Sequence, residues 1–255
     1  MPDFDEEKEN LKKANKELGE AKEKLEALNH FKTHLLSLTS HQVKTPLGII
    51  RGYATLLREG FYGEATDQQK EILSKIEFAT EDVINLVDNL IDLRKVEEGR
   101  IQYQMDHCDF AQLARQAAQE MGHMAMGKGL NLSFMDPGHR VMVYGDEQKL
   151  RHVVQNLVDN AIKYTEKGSI AVKVEEKGNE VLLSVADSGF GIPHKVIPLL
   201  FEEFVRDERL KKIRGSGMGL HIAKIFIEEH HGKIWAESGG AGKGSTFYVS
   251  LPKEA

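Results

Sequence analysis

From Phe4 to Leu93 apolar residues recur three and four places apart, and at Gly99 that rhythm stops. The first stretch therefore reads as helix, and the chain beyond Gly99 is built on another plan. Within the first thirty residues nine acidic and six basic side chains surround Phe4, Leu11, Leu18 and Leu25, which are spaced by seven, with Ala14, Ala21 and Leu28 between them. So narrow a stripe on so charged a helix forms a two-stranded coiled-coil seam, because it can bury itself only against a second copy. A solvated lone helix is the alternative the spacing leaves open. At Phe31 and Leu38 the pattern slips while Leu28 and Leu35 keep step, a local change of supercoil suited to transmitting strain.

A helical hairpin comes next. Its first arm runs from about Leu28 to Glu59, Gly60 to Thr66 supplies the turn, and the second arm carries Ile72, Ile76, Ala79, Val83, Leu86, Leu90 and Leu93. Leu73, Val87 and Ile91 widen that apolar face beyond a two-stranded seam, so two hairpins from two chains would close a four-helix bundle. A homodimer is expected. The chain then divides into a linker helix over 1–29, the hairpin over 30–99 and a second domain over 107–255.

In that second domain helical and alternating segments take turns. Helices are expected over Asp109–Met126, Asp146–Tyr164 and Gly219–His230. Strands are expected over Asn131–Phe134, Ser169–Glu175, Glu180–Asp187, Lys233–Glu237 and Ser245–Leu251, with a turn at Lys177-Gly178-Asn179. Hairpin-joined strands mixed with helices give an α+β sandwich with its helices on one face.

Composition narrows the function classes. The 255 residues carry 34 basic against 40 acidic side chains, a net charge of −6, which gives no support to nucleic-acid binding. The single cysteine, Cys108, can form no internal disulfide, and no apolar run approaches the roughly 20 residues that cross a bilayer. These features point to a cytoplasmic protein without a membrane segment, either on its own or as the cytoplasmic part of a longer chain.

Four segments carry candidate chemistry. On the first arm His30, His34, Ser37, His41, Lys44, Gly48, Arg51 and Thr55 form a polar stripe expected to face solvent, and Pro46, lacking the N–H that would bond to the Gln42 carbonyl, bends the helix beside His41. An exposed imidazole on a bent helix suits a nucleophile that attacks phosphorus, although most surface histidines do nothing of the kind. On the second domain's central helix, Asn156 and Asn160 stand at i and i+4 with Lys163 on the same stripe. Asparagine is a poor mid-helix residue, amide oxygens are hard donors for Mg2+, and Lys163 can reach a phosphate. A polar helix face with no such role is the plainer reading of this spacing. Asp187-Ser188-Gly189-Phe190-Gly191 ends a strand, where a carboxylate beside two glycines can accept a hydrogen bond from an adenine amino group, though Asp and Gly also make ordinary turns. Gly215-Ser216-Gly217-Met218-Gly219-Leu220 opens a helix, and its consecutive N–H groups can cradle an anion.

Rival nucleotide motifs fit poorly. A dinucleotide-binding fingerprint wants glycine where Leu220 stands and a strand leading in, and a P-loop wants Ser or Thr where Gly244 follows Gly242-Lys243. Between the glycine segments, Arg206, Arg209, Lys211, Lys212 and Arg214 outweigh Asp207 and Glu208. A lid of this charge suits a triphosphate, while a solvated loop is the default for such a run.

The segment His41-Gln42-Val43-Lys44-Thr45-Pro46-Leu47 resembles the phospho-acceptor box of sensor histidine kinases, and six of its seven positions agree in type. The asparagine helix, Asp187-x-Gly-x-Gly, Phe201-x-x-Phe204-x-Arg206, the glycine-rich helix start and Gly242-Lys243-Gly244-Ser245 resemble the family's remaining boxes in order, over about residues 30–251. The resemblance implies a Bergerat-type ATP-binding sandwich, shared with gyrase-like ATPases, fused to a dimerising hairpin. It implies that His41 takes the γ-phosphoryl group of ATP and passes it to an aspartate of a response regulator receiver domain. Thr45 would help dephosphorylate the regulator. Asn160 with Asn156 would hold Mg2+, and Lys163 and Tyr164 would contact the nucleotide. Asp187, Gly189 and Gly191 would receive adenine, Gly215, Gly217, Gly219 and Leu220 the phosphates, and Arg206 the γ-phosphate. Gln42 departs from the family's acidic residue. Its amide can orient the ring but cannot take a proton, so slower autophosphorylation is expected. A gyrase-like ATPase without phosphotransfer and a weakly catalytic scaffold that binds a regulator are the competing readings.

Overall fold

The computed structural model describes Lys16, Gly19, Lys22, residues 42–203, residue 205 and residues 217–253. The coiled-coil seam, the slip at Phe31, and His41, Arg206 and Gly215 lie outside the described residues. The chain divides into two compact units, Met1–Glu98 and Gly99–Ala255.

In the first unit, helix α1 (residues 42–58) and helix α2 (Asp67–Glu97) form the hairpin. Thr66 starts α2 with a capping box: its hydroxyl accepts the Gln69 N–H at 3.3 Å while the Gln69 side chain accepts the Thr66 N–H at 2.8 Å. Lys44 and Arg51, expected to face solvent, keep much of their side chains exposed and also reach α2 to pair with Asp88 and Glu81, and Arg58 reaches Glu77 at 3.1 Å. The acids of α2 face this stripe across the hairpin, a pairing that helical spacing within one arm does not reveal. The apolar face of the hairpin stays open in the single chain: Ile49, Tyr53, Ile72 and Phe78 are each more than half exposed.

The second unit is a sheet with helices packed on it. Strands β2 (Asn131–Met135), β4 (Ser169–Lys177), β5 (Glu180–Asp187), β6 (Lys233–Glu237) and β7 (Ser245–Pro252) form a five-stranded sheet in the order β2-β4-β5-β7-β6, with β2 parallel to β4 and the rest antiparallel. Helices α3 (Phe110–Gly127), α4 (Glu147–Tyr164) and α5 (Gly219–Glu229) bring Phe110, Leu113, Leu150, Leu157, Ile222 and Phe226 into a core with Ile170, Val172, Leu183, Val185 and Val249. This is the α+β sandwich that the alternation implies. Every second residue of β4 and β5 faces the helices because strand side chains alternate.

Two further short strands are not among those the sequence predicts. β1 (Asp106–Asp109) pairs antiparallel with β3 (Met142–Gly145), and at four residues each they are too short for an alternation to be read from sequence. The ribbon matters because it delivers the chain to α4. Asp146, directly after β3, caps that helix by accepting the N–H groups of Gln148 and Lys149 at 3.0 and 3.1 Å, and its second oxygen accepts the Gln104 N–H at 2.9 Å.

Candidate functional site

With α4 seated by Leu150, Val153, Val154, Leu157, Val158, Ala161 and Ile162, its asparagine stripe falls on a half-buried edge. The Asn156 amide donates to the Gly219 carbonyl at 3.4 Å, and a Cβ at Gly219 would lie 3.0 Å from Asn156 Oδ1. Asn156 thus docks against the start of α5. The N-cap residue of α5, the buried Met218, offers no side-chain acceptor to the first turn. The dipole of α5 favours an anion at that end. Asn160 stands one turn beyond Asn156 on the same helix. The Lys163 ammonium is 2.7 Å from Asp159, so a phosphate would compete with that pair.

The far end of the site is built around Asp187. One carboxylate oxygen accepts the Gly189 N–H at 2.8 Å, and the other accepts the hydroxyl of Ser245. Burial raises the carboxyl pKa above its ordinary value, against the opposing pull of Ser245 and the Gly189 amide. Gly189 runs so close to the end of α4 that a Cβ there would sit 2.1 Å from the Tyr164 carbonyl oxygen, which also accepts the Phe190 N–H at 3.0 Å. Gly191 has φ +62 and passes so near the Gly240 carbonyl that a side chain is excluded twice over. Ser238 stitches these loops together, accepting the Ile192 N–H at 2.9 Å and donating to the Gly244 carbonyl at 2.7 Å.

The fold therefore brings Asn156, Asn160, Lys163, Tyr164, Asp187, Gly189, Gly191, Gly217, Gly219 and Leu220 into one unit, on α4, the end of β5 and the start of α5. Gln42 and Thr45 lie exposed on α1, in the other unit. Ser245, Ser238 and His221 carry contacts here that the sequence does not announce. For Ser245 the one available signal is its place after Gly244 in the last glycine segment.

Among the described residues no group of three or more His, Cys, Asp or Glu side chains is placed to hold a metal ion. The donors at hand are amide oxygens. They fit a hard divalent cation that arrives with phosphate ligands and not one caged by protein carboxylates.

Residues 31–99 match the His Kinase A (phospho-acceptor) domain, and residues 145–255 match the histidine kinase-, DNA gyrase B- and HSP90-like ATPase family. Among curated proteins the chain is similar to the circadian input-output histidine kinase CikA of Synechococcus elongatus, 31% identical over 90% of this chain and 31% of that protein. It is also similar to the sensor histidine kinase WalK of Bacillus subtilis, 31% identical over 89% of this chain and 38% of that protein. The chain spans about a third of the length of these relatives. Among solved structures, full-length ShkA in complex with AMPPNP aligns over 87% of this chain and 46% of that one, with a TM-score of 0.64 and 25% identity.

Proposed function

We propose that this chain, which belongs to the histidine kinase family, binds ATP with Mg2+ in the cradle between α4, Asp187 and α5, phosphorylates itself on His41 and passes the group to an aspartate of a response regulator receiver domain. The observation that carries this reading is the Asp187 carboxylate, half-buried and held on both oxygens at one end of a cradle whose other end is a helix start without a side-chain cap. Adenine would donate its amino group to Asp187, and the phosphates would lie toward Gly217, Gly219 and Leu220, with Arg206 on the γ-phosphate. Asn160 and Asn156 would hold Mg2+, which when bound neutralises charge on the phosphate oxygens. Lys163 and Tyr164 complete the wall.

A neutral ring nitrogen of His41 then attacks the γ-phosphorus. An N–P bond forms, the bond to the β-phosphate oxygen breaks, and ADP leaves with that electron pair while the ring proton passes to solvent. Gln42 accepts the other ring N–H and fixes the tautomer without removing the proton. In the second step the N–P bond breaks as an aspartate oxygen takes the phosphoryl group. Thr45, one helical turn from His41, serves hydrolysis of the regulator's phosphoaspartate. The open apolar face of the hairpin supports a homodimer in which a second copy covers Ile49, Tyr53 and Ile72. Among the described residues no helix is long and apolar enough to cross a membrane, and we place the chain on the cytoplasmic side of a larger sensor.

Incubation with γ-labelled ATP tests the reading. Acid-labile, base-stable label on the parent chain that is lost in His41→Ala supports it. Released phosphate without protein label supports a gyrase-like ATPase, and neither product supports a regulator-binding scaffold.

A further inference from the structure

His221 is the third residue of α5, and its ring reaches back to a segment twenty residues earlier. Nδ1 lies 2.9 Å from the carbonyl oxygen of Phe201, and Nε2 lies 3.5 Å from Glu203 Oε1. A carbonyl oxygen can only accept, so Nδ1 carries a proton and donates it to Phe201, while Nε2 is turned toward Glu203. One turn further along, the Lys224 ammonium is 3.9 Å from Glu202 Oε1. The side chain of His221 is only 18% exposed, yet α5 is seated by Ile222, Ala223, Phe226 and Ile227 on its other face. Its contacts thus fall on Phe201 and its neighbours, and the hydrophobic seat of the helix is built without it.

Phe201 begins the Phe-x-x-Phe-x-Arg segment, and His221 belongs to the helical turn whose N–H groups face the phosphate end of the cradle. The hydrogen bond between them fixes the chain entering that segment against the helix at its far end. We propose that His221 is a positioning residue for the nucleotide's phosphates, holding Phe201 at a set distance from the first turn of α5. The proposal rests on the ATP-binding reading above. It concerns the phosphate end alone, since Asp187, Gly189 and Ser245 build the adenine end without His221.

The test uses the full chain with Mg2+ and measures displacement of a fluorescent ATP analogue by ATP and by adenosine. His221→Ala should weaken ATP about tenfold, the worth of one hydrogen bond, and leave adenosine within about twofold. His221→Asn places an amide N–H near the position of Nδ1 and should restore most of the ATP affinity. His221→Gln extends toward Nε2 and should not. Should the alanine variant fail to fold, the Asn and Gln variants carry the same comparison between themselves. Unchanged ATP affinity in His221→Ala, an equal loss for ATP and adenosine, or equal affinities for the Asn and Gln variants would overturn the proposal. If the parent chain itself binds no ATP, the functional reading falls first and this inference with it.

Discussion

Ser245 donates its hydroxyl to the carboxylate of Asp187 from the directly opposed position on the neighbouring strand. The register of β5 against β7 therefore places a donor on this acid, and its other oxygen accepts the Gly189 N–H at 2.8 Å. A carboxylate held from both sides cannot swing away from a ligand. Such preorganisation suits recognition better than stability, because the charge sits in a site that solvates it poorly.

Asp187→Asn should accordingly stabilise the second unit while destroying its ligand site. Burial holds the Asp187 carboxyl above its ordinary pKa. A raised carboxyl contributes fully below the unfolded value of 3.8, and that contribution is lost as pH rises through the folded value. At neutral pH the charged parent therefore carries a cost that asparagine lacks, and the two should converge as pH falls toward 4. A higher melting temperature is expected for the variant at pH 7.5, with the difference shrinking as pH falls. ATP binding should fall roughly 10–100-fold, because the acceptor for the adenine amino group is weakened. Thermal melts at two pH values and a nucleotide titration check both halves, and a destabilised variant at pH 7.5 would contradict the burial argument.

Gly189→Ala should fail for a steric reason. A Cβ there would lie 2.1 Å from the Tyr164 carbonyl oxygen and 2.8 Å from Asp187 Oδ1, so either α4 or the carboxylate must move. A loss of about 1–3 kcal/mol in urea unfolding is expected, together with loss of ATP binding. Gly122→Ala is the control. That glycine lies inside α3 with open space where the Cβ would go, and the change should stabilise by about 0.5–1 kcal/mol and spare binding.

The sequence made the three helices of the second unit and its five main strands legible because their apolar residues keep one period from cap to cap. Asp109 and Asp146 stand where the helices begin. Asp106–Asp109 and Met142–Gly145 escaped because four residues that bury one or two side chains carry no period to detect. In the site, the asparagines and glycines stood out as residues that a helix or strand does not choose for its own stability. Ser245 lies 58 residues from Asp187, and His221 lies 20 from Phe201. Both side chains are ordinary in their own segments and acquire meaning only through strand register or helix docking. Lys44 and Arg51 read as a solvated stripe for the same reason, since their partners Asp88 and Glu81 sit on the other arm.

His231→Gly should stabilise the protein. His231 has φ +57 and is the one non-glycine with positive φ among the described residues. It succeeds α5 in a Schellman-type ending, where its N–H bonds to the Glu228 carbonyl at 2.9 Å and the Gly232 N–H bonds to Ile227 at 2.9 Å. Glycine adopts that left-handed conformation without a Cβ clash. Relief of about 1–2 kcal/mol, less the entropy glycine adds to the unfolded chain, leaves a net gain near 0.5–1 kcal/mol. Urea unfolding of the two proteins at one pH measures it, and an unchanged or lower midpoint would refute the strain.

His230 should make stability depend on pH in the opposite sense to Asp187. Its Nε2 accepts the Asp146 N–H at 2.8 Å while Nδ1 donates to the Phe226 carbonyl at 2.6 Å, so both ring nitrogens are committed to one neutral tautomer. A second ring proton would point an N–H at the Asp146 N–H. Burial lowers the His230 pKa below 6.5, aided by His231, against the upward pull of the Phe226 carbonyl, Asp146 and Glu229. Tyr103 packs edge-on to the ring at 5.8 Å between centroids. A lowered histidine contributes fully above the unfolded value near 6.5, and the contribution is lost as pH falls through that value toward the folded one. The slope is at most about 1.4 kcal/mol per pH unit for one proton. Urea midpoints should fall between pH 7.5 and 5. His230→Gln, whose side-chain oxygen can accept the Asp146 N–H but takes no proton, should start lower and show a flatter profile. Parallel profiles for the two proteins would show that the ring already accepts its second proton in the fold, and the neutral tautomer would have to be given up.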